Sequence, residues 1–150
     1  MGKHPTVSPI RALLSVGVLV IFGCSNTSRE IPERYRGQFA FDKTASVAYW
    51  DSQSEWPQAT KDSLLKMAIP TTLIIEARKV VVTDVGTGQR REEQARVRNI
   101  GPDSIELDLH SNFARTNRVT TFQFDEDGFW LLEGTLFPNY RERFKRIRNP

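Results

Sequence analysis

Hydrophobic residues are arranged in three ways along the chain. Ala12 to Gly23 (ALLSVGVLVIFG) is apolar and uncharged throughout, and Ser25 to Glu33 (SNTSREIPE) is polar. From Arg34 onward, apolar and polar residues mostly alternate, the two-residue period of strands with one buried face. Tyr35 to Asp42 places Tyr35, Gly37, Phe39 and Phe41 on one face and predicts a first strand. Glu55 to Ala68 has helical spacing instead: Ser54 can cap it, Pro57 fits its first turn and Pro70 stops it. Trp56, Ala59, Leu64, Met67 and Ala68 share a face that closes a core. Beyond Pro70 the pattern is β. Strands are predicted over Thr71–Ala77, Lys79–Val85, a more polar Glu92–Ile100, Ser104–His110, Val119–Phe124, Phe129–Glu133 and Tyr140–Ile147. Gly86-Thr87-Gly88, Gly101-Pro102-Asp103 and Asp125-Glu126-Asp127-Gly128 separate them as turns.

Eight strands joined by short loops must run antiparallel, and their alternating apolar faces need a shared interior. A small meander barrel with one helix between the first strand and the rest supplies that interior and leaves no open edge. An open antiparallel sheet curled around the helix, an α+β roll, is the alternative. The order of strand, helix and long meander over residues 34–148 resembles the calycin barrels, meaning lipocalins and fatty-acid-binding proteins. Those families carry Gly-x-Trp on the first strand, where this chain has Gly37-Gln38-Phe39. The resemblance implies an arginine of a late strand beside that aromatic, with Arg141 or Arg143 as its counterpart. It also implies binding of an apolar or amphipathic small molecule inside the barrel.

The apolar run is too short to cross a bilayer core, which needs about 20 residues. With Lys3 and Arg11 before it, it has the form of a secretory leader. Ile21-Phe22-Gly23-Cys24 resembles the lipobox of bacterial lipoproteins, with Phe22 departing from the small residue usual there. The resemblance implies a signal peptide over 1–23, an acylated Cys24, a tether over 24–33 and one domain over 34–150. It places the protein in a bacterial cell envelope, held to the membrane through Cys24. Additive burial of acyl chains, about 0.8 kcal/mol per CH2, makes such an anchor firm. Ser25 resembles the sorting class sent to the outer membrane, facing the periplasm in a Gram-negative cell.

The leader also changes the charge argument. The whole chain has 21 basic and 18 acidic residues, a net charge of +3. Without Lys3 and Arg11 the balance is 19 to 18, so no excess of charge argues for nucleic acid.

Candidate chemistry is sparse. His110 is the sole histidine after the leader, and it falls at the polar end of a strand. With Cys24 acylated, no multi-ligand His/Cys metal site and no thiolate nucleophile is expected, and the residues imply no cofactor. Asp125-Glu126-Asp127-Gly128 lacks the spacing of a calcium loop and reads as a turn. Gly86-Thr87-Gly88-Gln89-Arg90-Arg91 precedes no helix that would aim it at a phosphate. Carboxylate pairs, Glu106 with Asp108 or Glu133 with Glu142, can approach across strands as in glycoside hydrolysis, but sequence does not supply the separation that chemistry needs. The three tryptophans and nine phenylalanines first serve the core. The distinctive segment is Tyr140-Arg141-Glu142-Arg143-Phe144-Lys145-Arg146-Ile147-Arg148. As a strand it puts Tyr140, Glu142 and Phe144 on one face, and Arg141, Arg143 and Lys145 on the other. With the aromatic face inward, Arg141, Arg143 and Lys145 form an outer row for anionic headgroups or an acidic envelope protein; together with Tyr140 they are the candidate ligand or partner contacts. With the faces reversed, an arginine inside can pair a ligand carboxylate. These residues predict a non-catalytic binding protein for a small apolar or amphipathic molecule. The alternative is a protein-interaction module, an assembly factor or enzyme inhibitor, that uses the basic strand.

Overall fold

A computed structural model describes residues 29–111, 116–133 and 139–148. Its architecture is a closed barrel of eight antiparallel strands, each paired with its sequence neighbour and the last paired with the first. The strands are β1 (Gly37–Phe41), β2 (Thr71–Ile75), β3 (Lys79–Asp84), β4 (Arg90–Ile100), β5 (Ser104–Ser111), β6 (Thr116–Phe124), β7 (Gly128–Leu132) and β8 (Arg141–Arg146). Every strand predicted from alternation is present, with ends shifted by at most three residues. The barrel holds and the roll does not.

Two helices, not one, join β1 to β2: α1 (Lys43–Ser52) and α2 (Gln58–Met67). Asp42 caps α1, its carboxylate accepting the Ala45 amide at 3.1 Å. Only Ser46 and Trp50 of α1 are buried, so the sequence carries too thin an apolar stripe to announce a helix. In α2 the core-facing residue is Leu64, which joins Trp50 and Tyr140 in a second, smaller cluster.

The registers place one face of each strand inside. Phe39 pairs with Leu73, Leu73 with Val82, Leu107 with Thr120 and Phe122 with Leu131. At one end the interior is solid. Phe39, Phe122, Phe124, Phe129 and Phe144 pack ring against ring, with centroids 4.8 to 6.0 Å apart.

The N-terminal segment plugs that end. Ile31 is fully buried, its amide bonded to the Ala77 carbonyl at 2.8 Å. The Tyr35 hydroxyl donates to the Gly101 carbonyl at 2.9 Å. The packed body therefore begins before residue 34, because Ile31 has an apolar seat under the barrel that polar neighbours hide in the sequence. The arginine over the first-strand aromatic is Arg146, its guanidinium 4.7 Å from the Phe39 ring centroid and bonded to the Arg36 carbonyl at 2.9 Å. Arg141 and Arg143 lie higher on β8, on its outer side. Gly37, with φ of +142°, suits this site: a Cβ there would stand 2.6 Å from Arg146 Nη1.

β8 meets β1 over three residue pairs, Phe39 with Arg146, Ala40 with Lys145 and Phe41 with Phe144. Past that point α1 takes over. The Asp42 amide reaches the Arg143 carbonyl at 2.8 Å, Ser46 Oγ accepts the Arg143 amide at 2.8 Å, and Trp50 Nε1 donates to the Arg141 carbonyl at 2.8 Å. The Arg143 side chain, 8% exposed, forks onto Asp125 at 2.5 and 2.7 Å and lies over Trp130. Asp125→Asn removes the charge but keeps the acceptor. Asp125 is half exposed, so the change should cost about 1–2 kcal/mol at neutral pH. The hydrogen bond from Arg143 holds the Asp125 carboxyl below its usual range. That stabilisation is complete above the unfolded value near pH 4 and is lost as pH falls through the lower folded value. Urea titrations should show the gap between parent and variant at pH 7 closing at about pH 2.

Candidate functional site

The end of the barrel opposite the plug is hollow. A cavity of about 880 Å³ opens there, within the range of small-molecule sites. The same strands that carry aromatic residues into the closed end carry different residues upward. β6 runs inward as Phe122, Thr120, Arg118; β8 as Phe144, Glu142, Tyr140; β4 as Ala95, Glu93, Arg91. One wall of the cavity is apolar, with Phe41, Leu73, Val82, Leu131 and Phe144. The other is charged, with Arg91, Arg118, Glu133 and Glu142. Met67 and Ile69, at the end of α2, are exposed at the mouth.

The charged wall is ordered by its own pairs. Arg118 binds Glu93 at 2.9 Å and also donates to Glu133. Arg91 binds Glu93 at 3.2 Å. Glu93 is 3% exposed, and two guanidiniums offset the cost of burying its charge. Glu142 accepts from the Tyr140 hydroxyl at 2.5 Å. Burial pushes the Glu142 carboxyl up; the Tyr140 bond opposes this, the nearby Glu133 charge adds to it, and Arg118 partly offsets it. Burial, followed by the Glu142 and Glu133 charges, drives the Tyr140 hydroxyl well above its ordinary range. Deeper on β6, the buried Thr120 hydroxyl has no hydrogen-bond partner among the described residues.

The sequence-predicted residues fall on both sides of β8. Tyr140 and Glu142 line the cavity, as the inward aromatic face requires. Arg141, Arg143 and Lys145 lie outside, beneath and beside α1. Arg141 stands over the Tyr49 ring at 5.7 Å, Arg143 is buried on Asp125, and Lys145 pairs with Asp42 at 2.9 Å. Of the carboxylate pairs, Glu133 and Glu142 share the cavity wall, whereas Glu106 and Asp108 face outward on Arg98. His110 is exposed on β5 and meets Asn117 at 2.5 Å. Asp84 and Asp125 hold their turns together: Asp84 accepts the Gly86 and Thr87 amides, and Asp125 accepts those of Asp127 and Gly128. Among the described residues, no group of three or more His, Cys, Asp or Glu side chains is arranged for a metal ion, and no helix is long and apolar enough to cross a membrane. Cys24 and the leader lie outside the described residues.

Sequence reasoning missed Glu93, Arg91 and Arg118. The signal was present: each shares strand parity with inward apolar residues, Ala95 and Val97 on β4 and Phe122 on β6. The chain matches no protein family, and it is similar to no curated protein and no solved structure to a significant degree.

A carboxyl whose folded pKa is raised opposes folding once it ionises. The penalty is absent below the unfolded value near pH 4 and grows as pH rises through the higher folded value. Glu142→Gln keeps the acceptor for Tyr140 and should melt at a higher temperature than the parent at pH 7. Thermal melts of the two should coincide at about pH 3.

Proposed function

We propose that this protein is a non-catalytic binding protein that holds an amphipathic small molecule in the open half of its barrel. The observation that carries the reading is the split lining of the cavity, apolar on one wall and charged on the other. An apolar body gains about 25 cal/mol for each Å² it removes from water along the first wall. Its polar end can find hydrogen-bond and charge partners on the second. The volume suits a molecule of a few hundred daltons. The calycin resemblance agrees with this use of the barrel. A partner protein on the basic strand is the weaker reading, since Arg143 is buried and Lys145 is already paired.

The residues around Cys24 support export and lipid anchoring in a bacterial envelope as part of the same proposal. The described chain enters the barrel at the plugged end, through Ile31. Ile31 is seven residues beyond Cys24, a reach of at most about 25 Å. The anchor would therefore sit near the closed end, and the mouth would open away from it into the aqueous compartment.

Two experiments test these readings. N-phenyl-1-naphthylamine, a neutral apolar fluorophore, should brighten on binding the full chain. Val82→Asp puts a charge into the apolar wall and should weaken that binding at least about tenfold while far-ultraviolet circular dichroism is unchanged. Binding unaffected by Val82→Asp would place the fluorophore outside the cavity and remove the reading. For the anchor, cells fed labelled palmitate should label the parent chain and leave Cys24→Ser unlabelled. Equal labelling of both would end the lipoprotein proposal.

A further inference from the structure

We propose that the polar end of the ligand is a cation, and that the protein selects amphipathic primary amines. This inference rests on the binding function proposed above and names the chemistry of the same cavity. The cavity is lined by four carboxylates, Asp84, Glu92, Glu133 and Glu142, against three guanidiniums, Arg90, Arg91 and Arg118, and a fifth carboxylate, Glu93, is buried on the inward row of β4. Each guanidinium already has a carboxylate partner, Arg90 through Glu92. Arg118 spans Glu93 and Glu133, and Arg91 holds Glu93. Asp84, at the rim, is occupied by the amides of its own turn.

Glu142 is left. Among the described residues it has a hydrogen bond from Tyr140 and no cationic partner within ion-pair distance. Glu133 is close enough for its charge to oppose the ionisation of Glu142. A second observation points the same way. Thr120, one step below Arg118 on the inward row of β6, is 1% exposed, and its hydroxyl has no partner among the described residues. The wall is therefore rich in carboxylate acceptors, and the Thr120 hydroxyl beneath it can accept one more donor.

An ammonium supplies what such a wall lacks. It brings one positive charge and three donors, and a charge-assisted bond to a carboxylate is about twice as strong as a neutral one. A carboxylate head would meet an excess of like charge and only arginines that already hold a carboxylate. An alcohol would leave the excess negative charge uncompensated. The alkyl chain of the amine would lie along Leu73, Val82, Leu131 and Phe144.

The test uses the full chain and three probes of equal chain length, dodecylamine, dodecanol and dodecanoate, each below its micellar concentration. Each competes with N-phenyl-1-naphthylamine at neutral pH. Dodecylamine should compete at least about tenfold better than dodecanol, and dodecanoate should be the weakest of the three. Glu142→Gln should erase most of the amine's advantage and leave dodecanol unchanged. Because the comparison is between parent and variant, amphiphile taken up by the leader cancels. Equal competition by all three probes, or an amine advantage that survives Glu142→Gln, overturns the amine assignment and leaves the binding function standing. Failure of every probe to displace the fluorophore overturns the binding function itself. Should Glu142→Gln lose its fold by circular dichroism, trimethyldodecylammonium on the parent decides. It carries the charge without the donors and should bind more weakly than dodecylamine. Equal binding of the two would overturn selection for primary amines.

Discussion

The barrel closes across a seam of only three residue pairs, and the rest of the structure depends on that closure. Without it, β1 and β8 would each present an open edge, and the two walls of the cavity would not face one another. The seam is completed by a helix. Asp42, Ser46 and Trp50 of the α1 region meet the backbone of Arg141 and Arg143 where no strand continues. The basic row that stands out in the sequence belongs to this seam. Arg143 ties β8 to the β6–β7 turn through Asp125, and Lys145 ties it to the cap of α1 through Asp42. Buried or paired, those cations hold the barrel shut.

The closed barrel is divided along its axis. Below, five phenylalanines fill the interior and Arg146 with the N-terminal plug covers them. Above, the inward rows of β4, β6 and β8 change to Glu93, Arg118 and Glu142, and Glu133 follows the end of β7. The backbone does not dictate this change, because the same alternation would accept apolar side chains and a filled core at those positions. Charges in a low-dielectric interior cost stability unless they are paired, and replacing them by apolar residues of similar volume is often neutral or favourable. The network around Glu93 offsets that cost; the site of Glu142 does not. A carboxylate kept where it opposes folding is the kind of local inconsistency that function explains better than architecture.

Strand alternation made the barrel legible, because the two-residue period survives even on a polar strand such as β4. The signals that failed were those where the burying partner is remote in sequence. Ile31 looks like tether because its neighbours are polar, and only the turn at Ala77 gives it a core position. α1 escaped because its contacts with β8 are largely hydrogen bonds from Ser46 and Trp50, which leave no apolar stripe to read. The arginine on Phe39 is Arg146 because β8 runs antiparallel to β1, so the end of β8 meets the beginning of β1. In the cavity, Tyr140 and Glu142 were readable from the parity of β8. Glu93 and Arg118 carried the same parity signal but were passed over, since a charged residue on an inward row looks like an interruption until its partner across the barrel is known.

In the proposed binding role, the position of the charged wall would let apolar burial and recognition of a polar end act together in so small a domain. A barrel of eight strands has an interior just wide enough to be filled by side chains, and it holds one small ligand when they leave space. Here the aromatic half takes up the task of the core and releases the other half from it. Phe144 serves both, stacking on Phe129 below and lining the cavity above. The apolar wall thus continues the core, and a ligand chain lying on it would extend the stack of Phe129 and Phe144 toward Met67 and Ile69 at the mouth. Those two residues are exposed, and a chain that reached them would cover them. On this arrangement ligand binding completes the hydrophobic core. An occupied barrel should therefore gain stability by mass action, in proportion to the logarithm of ligand concentration above its dissociation constant.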